Sequence, residues 1–235
     1  ETKDMNILSL DTSTPVLSLS VRTNSSYEER KIIGNFSHSE NLLGEIKSMT
    51  KRAGIELKDF ELLICTKGPG SFTGLRVGMA GLKGISLASS APLVSVPTLS
   101  VIDESVKSLW KGPVLSVIDA KKKKFYFRLR VGEEIVISDR DGNPEDVIET
   151  LKSLKDILIT GPDAALFASK LSSFEDLDIT VDPEAPRCLS YALEKLGMEK
   201  YKIDGPDDIG EGPVYIRRSD AEEMLLAKAR EAKGE

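Results

Sequence analysis

The chain has 235 residues, enough for one large domain or two small ones, and 32 basic against 38 acidic residues leave a net charge of −6. Any contact with nucleic acid must therefore depend on a local basic patch. No apolar segment reaches the ~18 residues of a membrane helix. The two cysteines, Cys65 and Cys188, lie in apolar surroundings that indicate free thiols, so a cytoplasmic protein is predicted. The absence of glutamine, with abundant Lys and Glu, suggests a thermophilic source.

The first half of the chain alternates strand and helix patterns. Residues 1–4 precede the first apolar run and are interpreted as an extension outside the fold. Apolar runs predict strands at residues 7–10, 16–21, 31–36, 62–66 and 93–96, and helical spacing predicts helices at 39–53 and 72–88.

The second half repeats this order. Residues 114–119 form a strand that ends in an aspartate, as residues 7–11 do, and residues 157–162 run through threonine into Gly-Pro, as residues 63–69 do. Two correspondences in the same order predict a duplicated βββαβα unit. The elements of this half are strands at 124–131 and 134–138 and a helix at 144–154, with residues 97–111 as a bridge. We predict lobes at 5–98 and 99–212, then a strand at 214–216 and a charged helix within 213–235.

A glycine-rich segment, residues 67–78, lies between a predicted strand and a helix. Its backbone amides and the helix N-terminus could bind an anion, with Ser71 or Thr73 as the cap. Alternatively, its first glycines shape a tight turn, and Gly74, Gly78 and Gly81 form one helix face that allows close packing. The spacing matches neither a P-loop nor a dinucleotide fingerprint.

Two strand-ending aspartates, Asp11 and Asp119, could face each other across a nucleotide phosphate, as in duplicated kinase folds, or could simply form turns. The residues predicted for phosphate binding are Asp11, Thr12, Ser13, Gly68, Gly70, Ser71 and Thr73. His38 is the only histidine, so a surface or capping role is favoured over a metal site, and no catalytic set can be assembled.

A lysine run followed by aromatic residues is the second candidate for ligand contact. Positive charge next to aromatic side chains is typical of RNA-binding surfaces, whereas the simpler interpretation is a solvated turn before an ordinary amphipathic strand. The residues that would contact RNA are Lys121, Lys122, Lys123, Lys124 and Arg128.

Three segments together resemble one family. Residues 6–14, residues 38–43 (HSENLL) and residues 67–78 (KGPGSFTGLRVG) are similar to the bacterial TsaB (YeaZ) family, and residues 213–218 fit its C-terminal end. The resemblance implies the two-lobed actin-like fold of sugar kinases, Hsp70 and actin. It also implies a role in forming N6-threonylcarbamoyladenosine beside the anticodon of tRNAs that read codons beginning with adenine.

Within that resemblance, the chain would be the non-catalytic partner of the TsaD transferase, with TsaE as a further ATPase and tRNA reached through the complex. The metal-binding His-x-x-x-His pair of the catalytic relative would need a histidine where Leu42 stands. No cofactor is required, although ATP or ADP could sit at the interface of the complex. The lysine run departs from the family, which usually has a small residue and a glutamate there.

The family's partner surface uses the two helices of the first lobe, which also predicts a homodimer when the chain is alone. The corresponding residues are Leu42, Leu43, Ile46, Met49, Gly74, Leu75, Gly78, Gly81 and Leu82. Replacing Gly78 by leucine is expected to weaken assembly while the monomer stays folded. Two alternative functions remain open: a small-molecule kinase of the same fold, and a module that binds tRNA directly.

Overall fold

The fold is taken from a computed structural model, which describes residues 5–33, 38–174 and 177–217, with the backbone alone for residues 38–41. The predicted extension at 1–4 and the predicted C-terminal helix beyond residue 217 lie outside the described residues, as do the side chain of His38 and the end of the strand predicted to reach residue 36.

The first sheet has five strands in the spatial order β3-β2-β1-β4-β5. Strands β1 to β3 form an antiparallel meander, whereas β4 and β5 run parallel to β1. The central strand β1 is fully buried because sheet neighbours flank it and helices cover both faces. The strands are β1 (Ile7–Asp11), β2 (Val16–Arg22), β3 (Tyr27–Ile33), β4 (Leu62–Gly68) and β5 (Leu93–Pro97).

The second sheet repeats the first. Its order is β8-β7-β6-β9-β10, with the same antiparallel meander followed by two parallel strands. The predicted duplication and the two-lobed actin-like α/β fold are therefore confirmed, and each half extends the predicted βββαβα unit by one strand and one helix. The strands are β6 (Val114–Lys121), β7 (Lys124–Val131), β8 (Glu134–Gly142), β9 (Ile157–Thr160) and β10 (Ile179–Val181).

Six helices complete the described part of the chain: α1 (His38–Ala53), α2 (Phe72–Ser89), α3 (Thr98–Lys107), α4 (Ile148–Lys152), α5 (Ala164–Leu171) and α6 (Ser190–Asp204). Helices α1 and α2 pack on one face of the first sheet, and α3 and α6 share a core with strands β1, β4 and β5 on the other face. Helix α6 and all but the first residue of α3 fall within residues 99–212, so two helices from that part of the chain cover the first sheet.

Several predicted elements differ from the structure. Strand β3 begins at Tyr27 and not at Lys31, because the tight turn after Arg22 pairs that residue directly with Tyr27. The segment predicted as a helix at 144–154 is a 3-10 turn followed by the short helix α4. Residues 214–216 are irregular and not a strand. Strand β10 and helix α6 were not predicted at all, and α3 lies in the segment predicted only as a bridge between the two halves.

Helix α6 escaped prediction because its buried face is poor in large apolar residues. The buried positions are Ser190, Ala192, Leu193, Glu194 and Gly197. They pack against a serine-rich face of the first sheet, where the Ser18 hydroxyl accepts a hydrogen bond from the Leu189 amide and Glu194 pairs with Arg22. Hydrophobic periodicity is weak when small and polar residues make the contact.

No helix in the described part of the chain is long and apolar enough to cross a membrane.

Candidate functional site

A cleft of about 530 Å³ lies between the two lobes. Residues from the turn after β1, the glycine-rich segment, the end of β6 and the segment after α6 meet there, because the turns of both lobes open toward the same space. The residues that line the cleft include Ser13, Ser71, Asp119, Lys121, Asp163 and Tyr215.

The turn after β1 is organised by Asp11, which is fully buried. Its Oδ1 accepts hydrogen bonds from the Ser13 amide at 3.0 Å, the Ser13 hydroxyl at 2.5 Å and the Thr66 hydroxyl at 2.7 Å. The carboxylate therefore lies beneath the cleft and shapes the turn, and Asp11 is not among the residues that line the cleft. The turn-forming interpretation of Asp11 accounts for these contacts.

The glycine face of α2 is explained by the same turn. A Cβ on Gly74 would come within 3.0 Å of the Thr12 carbonyl oxygen, and one on Gly78 within 3.0 Å of the Thr12 hydroxyl. The buried Thr12 hydroxyl donates a hydrogen bond to the Gly74 carbonyl oxygen at 2.8 Å. Helix α2 thus approaches the backbone after β1, so Gly78→Leu is expected to disrupt the monomer, contrary to the expectation from sequence.

The loop that precedes α2 is held by contacts with the turn after β1. Gly70 has a φ of +157°, and a Cβ there would overlap the Ser13 carbonyl oxygen, which accepts the Ser71 amide at 2.7 Å. The Ser71 side chain caps α2 by accepting a hydrogen bond from the Gly74 amide at 3.2 Å. Ser71 was one of the two residues predicted as the cap, the other being Thr73. Thr73 is exposed outside the cleft lining. Ser13, Gly70 and Ser71 are the predicted phosphate-binding residues that line the cleft.

The matching turn of the second lobe contains an acid. Asp163 immediately precedes α5, and its carboxylate accepts the Asp119 amide at 2.8 Å. Burial, and the neighbouring Asp119 carboxylate, raise the pKa of Asp163. Asp163 is the N-cap residue of α5, but its side chain makes no capping hydrogen bond to the helix. The cleft lining combines the Asp119 and Asp163 carboxylates with the cations Lys121, Lys122 and Arg217.

A segment that we call the strap, residues 205–217, returns from α6 to the first lobe. The Val214 amide donates to the Lys67 carbonyl at 2.7 Å, and a Cβ on Gly68 would overlap the Val214 carbonyl oxygen. The Tyr215 ring packs on Phe72 with centroids 4.6 Å apart and its hydroxyl accepts from Arg76 at 2.9 Å. Sequence reasoning missed Tyr215 as a cleft residue because its position depends on this return of the chain.

The nine residues predicted for the partner surface divide into two groups. Seven are buried inside the first lobe, because they form its own core or pack on the turn after β1: Leu42, Ile46, Met49, Gly74, Leu75, Gly78 and Leu82. In the single chain these seven are covered by its own residues, and their contact with a partner stays a prediction. Leu43 is half exposed, and Gly81 is partly exposed beside the Leu42 side chain.

The predicted RNA-contact residues lie together at one edge of the second lobe. Lys121 to Lys124 form the turn between β6 and β7, and Arg128 lies on β7. Lys121 and Lys122 also line the cleft.

Comparison with known proteins assigns the family. The family model described as TsaD, tRNA N6-adenosine threonylcarbamoyltransferase, matches residues 33–174. The TsaB protein of Haemophilus influenzae is 24% identical over 92% of this chain and 94% of its own, and that of Bacillus subtilis is 25% identical over 93% and 96%. The fold matches the solved structure of YeaZ from Pseudomonas aeruginosa with a TM-score of 0.75 at 20% identity, covering 90% of this chain and 99% of that one. The chain therefore belongs to the TsaB (YeaZ) family, within the family that the TsaD model describes, and the named relatives are tRNA threonylcarbamoyladenosine biosynthesis proteins.

Proposed function

We propose that this chain is a cytoplasmic, non-catalytic partner of a TsaD-type transferase in forming N6-threonylcarbamoyladenosine in tRNAs that read codons beginning with adenine. A TsaE-type ATPase would be a further component of the assembly. The observation that carries the proposal is similarity to TsaB relatives along nearly the whole chain. Leu42 stands where the metal-binding histidine pair of the catalytic relative would need its second histidine, which supports a non-catalytic role.

The exposed faces of α1 and α2 support a partner surface that differs in its residues from the predicted one. On α2 the exposed positions at helical spacing are Thr73, Arg76, Ala80, Gly84 and Leu87, and the last three of these are small or apolar. Leu87 is 77% exposed, and Leu43 on α1 is 50% exposed. Small residues on a helix face allow the backbone of another helix to come close, and exposed leucines gain from being covered. We therefore propose this face as the place where the transferase docks.

A leucine at position 84 would test the docking face. A Cβ on Gly84 has no neighbour within 4 Å, so Gly84→Leu should fit the monomer and raise its stability by about 0.5 to 1 kcal/mol through helix propensity. The added side chain would hold the partner helix away, and we expect the dissociation constant of the heterocomplex to rise about tenfold or more. Light scattering on a size-exclusion column measures the mass of the chain alone and of its mixture with the TsaD-type protein of the same organism, and so shows how much heterocomplex forms.

A matched control uses two exposed apolar residues on different helices. Leu87→Asp on α2 should weaken the heterocomplex, whereas Ile203→Asp on α6, where the side chain is 82% exposed, should leave it unchanged. If Gly84→Leu and Leu87→Asp both assemble like the unmodified chain, the α2 face is not the docking surface. If the unmodified chain and the TsaD-type protein elute separately, the proposed function itself fails.

A further inference from the structure

The tip of the β6–β7 hairpin, residues 121–124, has an unusual backbone for its sequence. Lys121 pairs with Lys124, so Lys122 and Lys123 are the two central residues of the turn, with φ values of 53° and 66°. A two-residue turn with positive φ at both positions favours Asn-Gly, because these residues tolerate the left-handed region. Lys121 also has a positive φ, of 62°. Turn formation therefore does not explain why lysine occupies these positions.

The charges at the tip remain accessible. Lys121 pairs with Asp119 at 2.8 Å, yet 81% of its side chain is exposed. Lys124 pairs with Asp141 at 3.5 Å, and Arg128 with Asp139 at 2.5 Å. The Arg128–Asp139 pair is largely buried, with 17% and 19% of the side chains exposed, whereas the lysines of the other two pairs are exposed. Pairs with an exposed lysine contribute little to stability, so a phosphate can replace the carboxylate at small energetic cost.

Two further cations at this edge are not neutralised within the part of the chain that the structure describes. Lys123 is exposed at the tip and makes no ion pair with a described residue. Arg140, on the neighbouring strand β8, is exposed, lies over the Phe127 ring at 5.2 Å and likewise pairs with no described carboxylate. The hairpin thus presents a local excess of unpaired positive charge on a chain with a net charge of −6.

We infer that the hairpin tip, together with Arg140, contacts the phosphate backbone of RNA. The identity of that RNA rests on the proposed function, which makes it the tRNA bound by the assembly. Lysine and arginine side chains that pair with phosphate oxygens position a nucleic acid without reading its sequence. Such contacts make affinity fall with salt, since each one releases a counterion.

The test replaces the tip by the turn that its backbone prefers. Lys122→Asn/Lys123→Gly removes two charges while the backbone geometry becomes easier to adopt. Affinity for an unmodified tRNA transcript that reads a codon beginning with adenine is measured at several KCl concentrations, with the chain alone and with the TsaD-type partner. We expect about tenfold weaker binding, a log–log salt slope smaller by about 1 to 2, and a thermal midpoint higher by about 2 to 4 °C. A purely structural role for the lysines would give unchanged binding.

A control with the same change in charge is Lys152→Asn/Lys170→Asn, on α4 and α5, which should bind tRNA like the unmodified chain. Unchanged affinity and salt slope in the tip variant would overturn the inference. Normal tRNA binding by the chain alone with lost assembly would overturn it too, by making the tip a protein contact, and lost ATP binding with normal tRNA binding would assign the lysines to a nucleotide. If the unmodified proteins do not assemble, the proposed function fails, and the titration of the chain alone still decides the inference.

Discussion

Alanine at position 74 is expected to destabilise the protein by about 3 to 5 kcal/mol, although it adds a single methyl group. Its Cβ would overlap the Thr12 carbonyl oxygen, which is main chain and cannot rotate away. The shift required would also disturb the hydrogen bond from the Thr12 hydroxyl to the Gly74 carbonyl and the capping bond from the Gly74 amide to Ser71. Urea denaturation followed by circular dichroism measures the loss.

The control for this prediction lies ten residues along the same helix. Gly84→Ala makes the same chemical change where a Cβ meets no atom within 4 Å, so it should stabilise the protein by about 0.5 to 1 kcal/mol. The two variants should therefore change the free energy of unfolding in opposite directions. Equal effects would mean that the approach of α2 to the turn after β1 does not explain Gly74.

Removing the carboxylate of Asp182 should have an effect of similar size. Asp182 is 3% exposed and accepts two hydrogen bonds from the Arg187 guanidinium, both at 2.7 Å, and one from the Thr160 hydroxyl at 2.7 Å. Asp182→Ala leaves these donors without an acceptor, and we expect a loss of about 3 kcal/mol in the free energy of unfolding. When Asp182→Ala is introduced into the Arg187→Met variant, it should lower the free energy of unfolding by less than it does in the unmodified chain, because no cation is left without a partner.

The same residue predicts a pH dependence. Burial alone would raise the pKa of Asp182, but the bonds from Arg187, Thr160 and the Glu184 amide hold it below its ordinary value of 3.8. The unfolded chain then binds the proton more readily, so the stabilisation is present above about pH 4 and is lost as pH falls through the lower, folded pKa. Unfolding free energies between pH 6 and pH 3 should fall less steeply for Asp182→Ala than for the unmodified chain. Parallel profiles would contradict this assignment.

The strands were predicted well where a short continuous run of residues is buried on both faces of the sheet. Strands β1, β4 and β6 are buried apolar runs, so their first residues and the duplication could be read directly, although each strand continues one or two residues beyond its predicted end. Strand β10 has three residues, none of them fully buried, which leaves too little periodicity to detect. The buried face of helix α6 consists largely of serine, alanine, glycine and a paired glutamate, so its hydrophobic periodicity is weak.

The candidate site was predicted in part for the same reason. Ser13 belongs to the turn between β1 and β2, Gly70 and Ser71 belong to the turn between β4 and α2, and the structure places all three in the cleft. Tyr215 and Arg217 reach the cleft only because the strap returns to the first lobe. No pattern within residues 205–217 indicates which surface the segment will cover.

By itself, the sequence determined the duplicated order of strands and helices, the position of the glycine-rich segment and the family resemblance, since each depends on short stretches of residues. Only the tertiary structure decided that Gly74 and Gly78 of α2 face Thr12, and which helices cover the first sheet. The physical reason is that the hydrophobic pattern and the glycine spacing of a segment indicate that one of its faces is closely packed. They do not indicate which residues pack against that face, because those residues come from a distant part of the chain. A leucine such as Leu42 is equally apolar in a core or at an interface, and its neighbours in space make the difference.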